Sequence, residues 1–427
     1  MTDLPAFHVE VYHNEFLSAG GSTVEAVVTL TASGSAGHTT TAGPEAAHVI
    51  MIDCSGSMAD PPTKMAEAKK ATIAAIESLR AGVAFAVIAG RHAAEMVYPR
   101  TATLTSATEQ TRAEAQSMVS QLTADGGTAV STWLQLAGTL FARHPAEIKH
   151  AIMLTDGRNE HEPPEQLAAV LRACEGQFIC DARGIGDDWS GTELRAVASA
   201  LLGTADGLAS AGDLVADFQA MTEAAMGKTL AEVSLRLWTP TGSTVHFVKE
   251  VFPHVEDLTG RRTEVSARIG DYPTGDWGVE SRDYHIGIGI SAGEVGEERL
   301  AARVALLGQD QTLVESRVKV TWSDDYALTA KINPMVAHYT GQAELAVAIQ
   351  EGLAARAAGD IGTATAKLGR AVQLAAETGH ADSAHLLSRI VDVIDARLGR
   401  VRLRTNVAGV DAELAIVRSV KTVRAMK

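Results

Sequence analysis

The feature that most constrains this chain is an alternation between residues 46 and 226, where short apolar runs end at polar, glycine-containing loops and segments of helical period follow. Residues 47–52 end at Asp53-Cys54-Ser55-Gly56-Ser57, and 64–79 follow with Met65, Ala68, Ile73, Ile76 and Leu79 on helical spacing. The apolar run returns at 83–89, 151–154 and 177–185, with helix-compatible segments at 108–122, 130–141, 165–174, 191–201 and 213–226. Strands that are apolar along their whole length need cover on both faces. The pattern therefore predicts an α/β unit, a mostly parallel sheet between two layers of helices.

Past residue 228 the period changes. β-compatible runs at 231–238, 244–251, 263–269, 284–290, 300–307 and 312–322, separated by turn residues, predict an antiparallel, sandwich-like β-domain over 229–330. The strand-like N-terminal segment 1–45, strongest at 24–31, is expected to pair with it, which would insert the α/β unit into a discontinuous β-domain. Residues 32–43, rich in Gly, Ser, Thr and Ala, read as a connection.

After Asn333-Pro334, alanine-rich segments at 342–358 and 361–378 and a third at 382–398 predict a helical hairpin or small bundle over 333–398. The first two resemble a single tetratricopeptide-type helix pair. Residues 399–427 carry seven Lys or Arg against two acids and read as a basic tail, either solvated or used for docking. Thr422 is a candidate phosphorylation site there.

Composition narrows the function. The formal charge of -15 over 427 residues repels a nucleic-acid backbone, so nucleic acid is not an expected partner. No apolar stretch reaches roughly 18 residues, so no membrane span is expected. The opening residues lack a basic start followed by an apolar core, which makes a cytoplasmic setting the expectation. Cys54, Cys174 and Cys180 are too few and too unevenly spaced for a disulfide framework or a four-cysteine zinc site, and read as free buried thiols. His144, His150 and His161 lack zinc-ligand spacing. Trp133 reads as a packed aromatic. Met226-Gly227-Lys228-Thr229 lacks the upstream glycine frame of a phosphate loop.

The densest chemical signal is Asp53-Cys54-Ser55-Gly56-Ser57 directly after an apolar strand. A turn there aims one carboxylate and two hydroxyls above the carboxyl edge of the sheet, and hard oxygen donors suit a hard divalent cation. Cys54 alternates away from that point. The hydroxyls serve better as metal ligands than as catalytic alcohols, and no general base stands beside them, so an enzyme is not expected.

With this loop the chain resembles a von Willebrand factor type A domain, whose metal-ion-dependent adhesion site carries Asp-x-Ser-x-Ser. The resemblance covers roughly residues 46–226 and implies a Rossmann-like α/β fold. It carries metal-ligand roles onto Asp53, Ser55 and Ser57, onto Thr128 in Asp125-Gly126-Gly127-Thr128, and onto Asp156 in Leu154-Thr155-Asp156-Gly157. It implies Mg2+, with Mn2+ or Ca2+ as substitutes, and a protein partner whose Asp or Glu completes the coordination shell. The wider arrangement looks like that of bacterial intracellular proteins with this module.

Asp60, Glu67, Arg91, His92, Arg158, Asn159, Glu160 and His161 are candidates for the rim of the metal face, the last four for partner contact, against a reading as ordinary solvated loops. The leading expectation is a metal-dependent protein-interaction module. An assembly scaffold with a vestigial or structural metal site is the alternative, and metal-assisted hydrolysis is a weaker one. Oligomeric state is left open by the sequence.

Overall fold

The structure, a computed structural model, describes residues 5–34, 45–208, 213–309 and 311–425. The glycine-, serine- and threonine-rich connection lies mostly outside the described residues.

Ala46–Asp53 is buried along its whole length because it is central. It pairs in parallel with Ala84–Gly90 on one side and Ile148–Thr155 on the other. The sheet runs Ala205–Leu208, Ile179–Ile185, Ile148–Thr155, Ala46–Asp53, Ala84–Gly90, Glu95–Tyr98, with Thr105–Ser106 also paired to Ala84–Gly90. Residue alternation sends each strand's side chains into two separate cores. Ile50, Ile52, Phe85, Val87, Ile152 and Leu154 face helices Thr63–Ser78, Glu109–Ser120 and Leu214–Met226. Val49, Met51, Ala86, Ile88 and Met153 face Val130–Ala142, Pro164–Cys174 and Gly191–Ala200. Full burial of each large aliphatic side chain is worth about 1.5–3 kcal/mol, so double coverage holds the strand ends firmly in register.

The second unit is a sandwich of two sheets. One runs Ala6–His13, Thr23–Ser33, Ser281–Gly289, Thr244–Phe252, Glu256–Asp257, and the other Thr263–Ser266, Ile269–Trp277, Leu230–Trp238, Glu298–Gly308, Gln311–Ser323, Phe16–Ser18. Thr23–Ser33 pairs with Ser281–Gly289, so strands from before and after the α/β unit share one sheet. Tyr272, Trp277, Tyr284 and Trp322 are buried between the two layers.

Three expectations require correction. The run expected as one strand at 263–269 is split, and Ile269–Trp277 is a further strand with alternating burial despite its Gly, Asp and Pro content. Its inward residues Tyr272, Thr274 and Asp276 are polar or aromatic, which hides the period from a hydropathy reading. The helix expected over 382–398 is Ala381–Ile390 only. Val391–Asp395, rich in β-branched residues, leaves it to pair with Arg400–Leu403.

The described residues of the C-terminal segment, 399–425, do not form a free basic tail. Arg400–Leu403 completes that hairpin, and helix Gly409–Arg418 packs on the α/β unit, where Leu414 and Val417 join the core of Trp189 and Val197. Two of the basic residues serve that docking: Arg418 Nε reaches Asp206 Oδ1 at 2.7 Å and Lys421 bonds the other oxygen. Thr422 is half-buried, with its Oγ1 covered and without a hydrogen-bond partner. Helices Pro334–Ala357 and Ile361–Glu377 form the hairpin beneath this last helix.

Candidate metal centre

Strand order reverses between Ala46–Asp53 and Ile148–Thr155, because the chain leaves the first toward Ala84–Gly90 and returns on its other side. Such a switch point opens a crevice at the carboxyl ends of the strands. Asp53 closes one flanking strand and Asp156 follows the other.

Three loops are knitted together over this crevice by main-chain bonds. Cys54 N–H donates to Gly90 O at 2.8 Å, Asp125 N–H to Cys54 O at 2.7 Å and Gly56 N–H to Gly126 O at 2.8 Å. Fully buried Met58 pins the first loop to the core below. The third loop joins through His161, whose N–H donates to Thr128 O and whose Nδ1 accepts Thr128 N–H, both at 3.1 Å. Asn159 Oδ1 accepts Val130 N–H at 2.9 Å, capping the helix that follows the second loop.

Side chains from these loops converge. Ser57 Oγ donates to Asp156 Oδ1 at 2.7 Å and lies 3.0 Å from Ser55 Oγ. Asp53 Oδ1 accepts Ser55 N–H at 2.8 Å, and its Oδ2 accepts the Thr155 hydroxyl at 2.6 Å. A Cβ at Gly157 would stand 3.4 Å from Ser57 Oγ and 3.5 Å from Thr128 Oγ1. The hydroxyls of two separate loops thus border one small cradle that a glycine keeps free. All five expected residues border the same crevice, with Asp53 and Asp156 fully buried and Ser57 exposed.

Burial pushes the Asp53 carboxyl up to about 6, and the neighbouring Asp156 charge adds to it, against the hydrogen bonds from Ser55 and Thr155. Two buried carboxylates side by side call for positive charge, and three neutral hydroxyls complete a hard-oxygen donor set. Among the described residues no three His, Cys, Asp or Glu side chains gather into a metal-holding group, so a hydroxyl-rich shell is what this crevice has to supply. The donor chemistry and the cradle fit a small divalent cation. Burial pushes the Cys54 thiol up to about 12, consistent with a sulfur that takes no part.

The rim residues divide. Asn159 and His161 hold the loops, and Asn159 is buried. Arg91 is engaged with Glu95 and Thr123 O, and Glu67 with Lys70. Asp60, His92 and Glu160 are exposed. Arg158 pairs at 3.2 Å with Glu413 of the last helix. Sequence reasoning missed Thr155 and Lys64, whose Nζ lies 2.9 Å from Asp156 Oδ2. Thr155 was signalled only by its place beside Asp156, and Lys64 by nothing local.

The three cysteines are free and buried, and Trp133 is fully buried with Nε1–H donating to Arg91 O at 2.7 Å. Lys228 pairs with Glu280 at 2.8 Å. No described helix is long and apolar enough to cross a membrane.

The family model of the von Willebrand factor type A domain matches residues 47–206. A von Willebrand factor type A protein from Catenulispora acidiphila is 47% identical over 100% of this chain and 99% of its own, with a TM-score of 0.93. The chain belongs to the von Willebrand factor type A family. The model of the von Willebrand factor type A C-terminal domain matches residues 373–416, which reach into the docked helix Gly409–Arg418. The ArnB paralog VWA2 from Sulfolobus acidocaldarius is similar in fold alone, at 13% identity over 97% of this chain and 98% of its own and a TM-score of 0.55. No curated protein matches the chain. Von Willebrand factor type A domains mediate protein–protein interactions, some of them through metal sites.

Proposed function

We propose that this protein is a divalent-cation-dependent recognition module, in which Asp53, Ser55, Ser57, Thr128 and Asp156 hold Mg2+, or Mn2+ or Ca2+ in its place. When bound, the cation supplies a Lewis-acidic position that an Asp or Glu of a partner protein completes. Ser55, Ser57 and Thr128 contribute neutral hydroxyls, while Asp53 and Asp156 balance charge directly or through water. The carrying observation is the cradle at Gly157 between Ser57 Oγ and Thr128 Oγ1, next to the Ser57–Asp156 bond.

Binding rather than turnover is supported by the serine hydroxyls bonding to each other and to Asp156 instead of to an imidazole. A cytoplasmic setting belongs to this reading and is supported by three unpaired thiols. The test is isothermal titration with MgCl2 and pulldown of partners with and without EDTA. Asp53→Ala is expected to weaken metal binding by about 10–100-fold and to release the partner, as EDTA does. Partner capture that ignores both treatments would end this reading.

A scaffold with a vestigial metal site is the second reading, favoured by the Lys64 ammonium already on Asp156. It expects assembly to persist in EDTA and in Asp53→Ala.

A further inference from the structure

Lys64 is an unusual neighbour for such a site. Its side chain is 11% exposed and that of Asp156 0%, with Nζ and Oδ2 2.9 Å apart. It enters from the first turn of helix Thr63–Ser78 and passes over the end of strand Ile179–Ile185. There a Cβ at Gly186 would fall 2.9 Å from Lys64 Cε and 3.5 Å from Nζ, so a glycine makes room for the lysine stem. Asp156 Oδ1 meanwhile takes the Ser57 hydroxyl. One carboxylate is thus shared between the hydroxyl cluster and a fixed positive charge.

Charge counting gives this arrangement a consequence. Asp53, Asp156 and Lys64 leave the crevice with one net negative charge. A divalent ion converts that to one net positive charge, which a single incoming carboxylate neutralises. Without the ammonium, the same ion would already bring the crevice to neutrality, and a carboxylate would leave it negative. Beside two fully buried carboxylates such differences are felt more strongly than in water.

Resting on the metal reading above, we propose that Lys64 trades metal affinity for carboxylate affinity: it weakens cation binding and leaves the loaded centre with the positive charge that selects an Asp or Glu on the partner. Lys64 is then a specificity-determining residue and not a ligand. A purely structural role predicts that its loss weakens both binding events together. The charge argument predicts opposite movements.

The test uses the full chain and Lys64→Met, each checked for folding by circular dichroism. Mn2+ affinity is read by isothermal titration, and glutarate is then titrated against the Mn2+-loaded protein while water-proton relaxation reports displacement of metal-bound water. Lys64→Met is expected to bind Mn2+ at least tenfold more tightly and glutarate at least tenfold more weakly. Should that variant fail to fold, Lys64→Gln, which retains a donor toward Asp156 without the charge, takes its place. If the parent protein binds Mn2+ and the variant moves both affinities in one direction, or neither, this inference fails while the metal reading stands. If the parent protein binds no Mn2+, both fall.

Discussion

The two ends of the same pair of strands, Ala46–Asp53 and Ile148–Thr155, carry polar clusters of opposite design. At the amino-terminal end, the His48 and His150 rings stack with centroids 5.0 Å apart and Nδ1 atoms 3.2 Å apart. His150 Nε2 lies 2.9 Å from Asp181 Oδ2, and Asp181 Oδ1 accepts both the N–H and the hydroxyl of Thr204 at 2.7 and 2.6 Å. Burial pushes the Asp181 carboxyl up, but His150, Arg183 and Thr204 hold it well below the ordinary range. This cluster satisfies itself, apart from His48 Nε2. If His150 donates to Asp181, its Nδ1 accepts from His48, and the unpaired His48 nitrogen is a lone pair rather than a stranded N–H.

At the carboxyl end, of two buried carboxylates only Asp156 is paired with an ammonium, that of Lys64, and the Ser57 hydroxyl is left at the surface. Buried ionisable groups therefore do not by themselves mark a binding site. Unbalanced charge beside solvent-facing donors does.

The largest expected effect is on the self-satisfied end. Asp181→Ala strips partners from His150 and Thr204 and is expected to cost about 3–5 kcal/mol in urea unfolding. Mg2+ affinity should stay unchanged, and a change there would mean that the two ends communicate and the contrast is false. At the open end, Gly157→Ala places a methyl in the cradle. Metal affinity is expected to drop at least tenfold by calorimetry, about 1.4 kcal/mol, with the unfolding midpoint barely moved. Undiminished affinity would put the ion elsewhere.

Acid sharpens the comparison further. Burial holds His48 well below its usual range. As pH falls through about 6.5, the unfolded chain takes up a proton that folded His48 refuses, so stability declines by up to about 1.4 kcal/mol per pH unit. His48→Gln should flatten that decline in urea titrations between pH 6.5 and 5, and an identical slope would assign the acid sensitivity to other groups. The smallest effect is expected for Glu413→Gln, which removes the charge facing Arg158 and weakens the 2.7 Å bond from Gly191 N–H. A loss of about 0.5–1 kcal/mol should appear as faster hydrogen exchange in Gly409–Arg418.

Much of this was legible beforehand, for reasons that differ by region. The α/β unit announces itself because strands covered on both faces must be apolar throughout, as in Ala46–Asp53. Asp53, Ser55 and Ser57 stand out because one turn spaces them. Thr128 and Asp156 needed the family resemblance, since nothing local ties the three loops together. Ile269–Trp277 was hidden by polar inward residues such as Asp276, which burial pushes up to about 6. The C-terminal segment misled through its charge, because Arg418 and Lys421 have their acidic partner in Asp206, over two hundred residues earlier.

What the sequence alone determined is what short-range periodicity encodes: the helices and buried strands of the α/β unit, the change to β-structure, and the oxygen-rich loop after Ile52. What only the tertiary structure decided is who faces whom. Lys64 reaches Asp156, Thr155 braces Asp53, Gly157 keeps a cradle clear, and the last helix seals the flank of the sheet. Those pairings depend on where parallel strands bring distant loops, and the charge balance of a buried crevice is set by distance in space rather than along the chain.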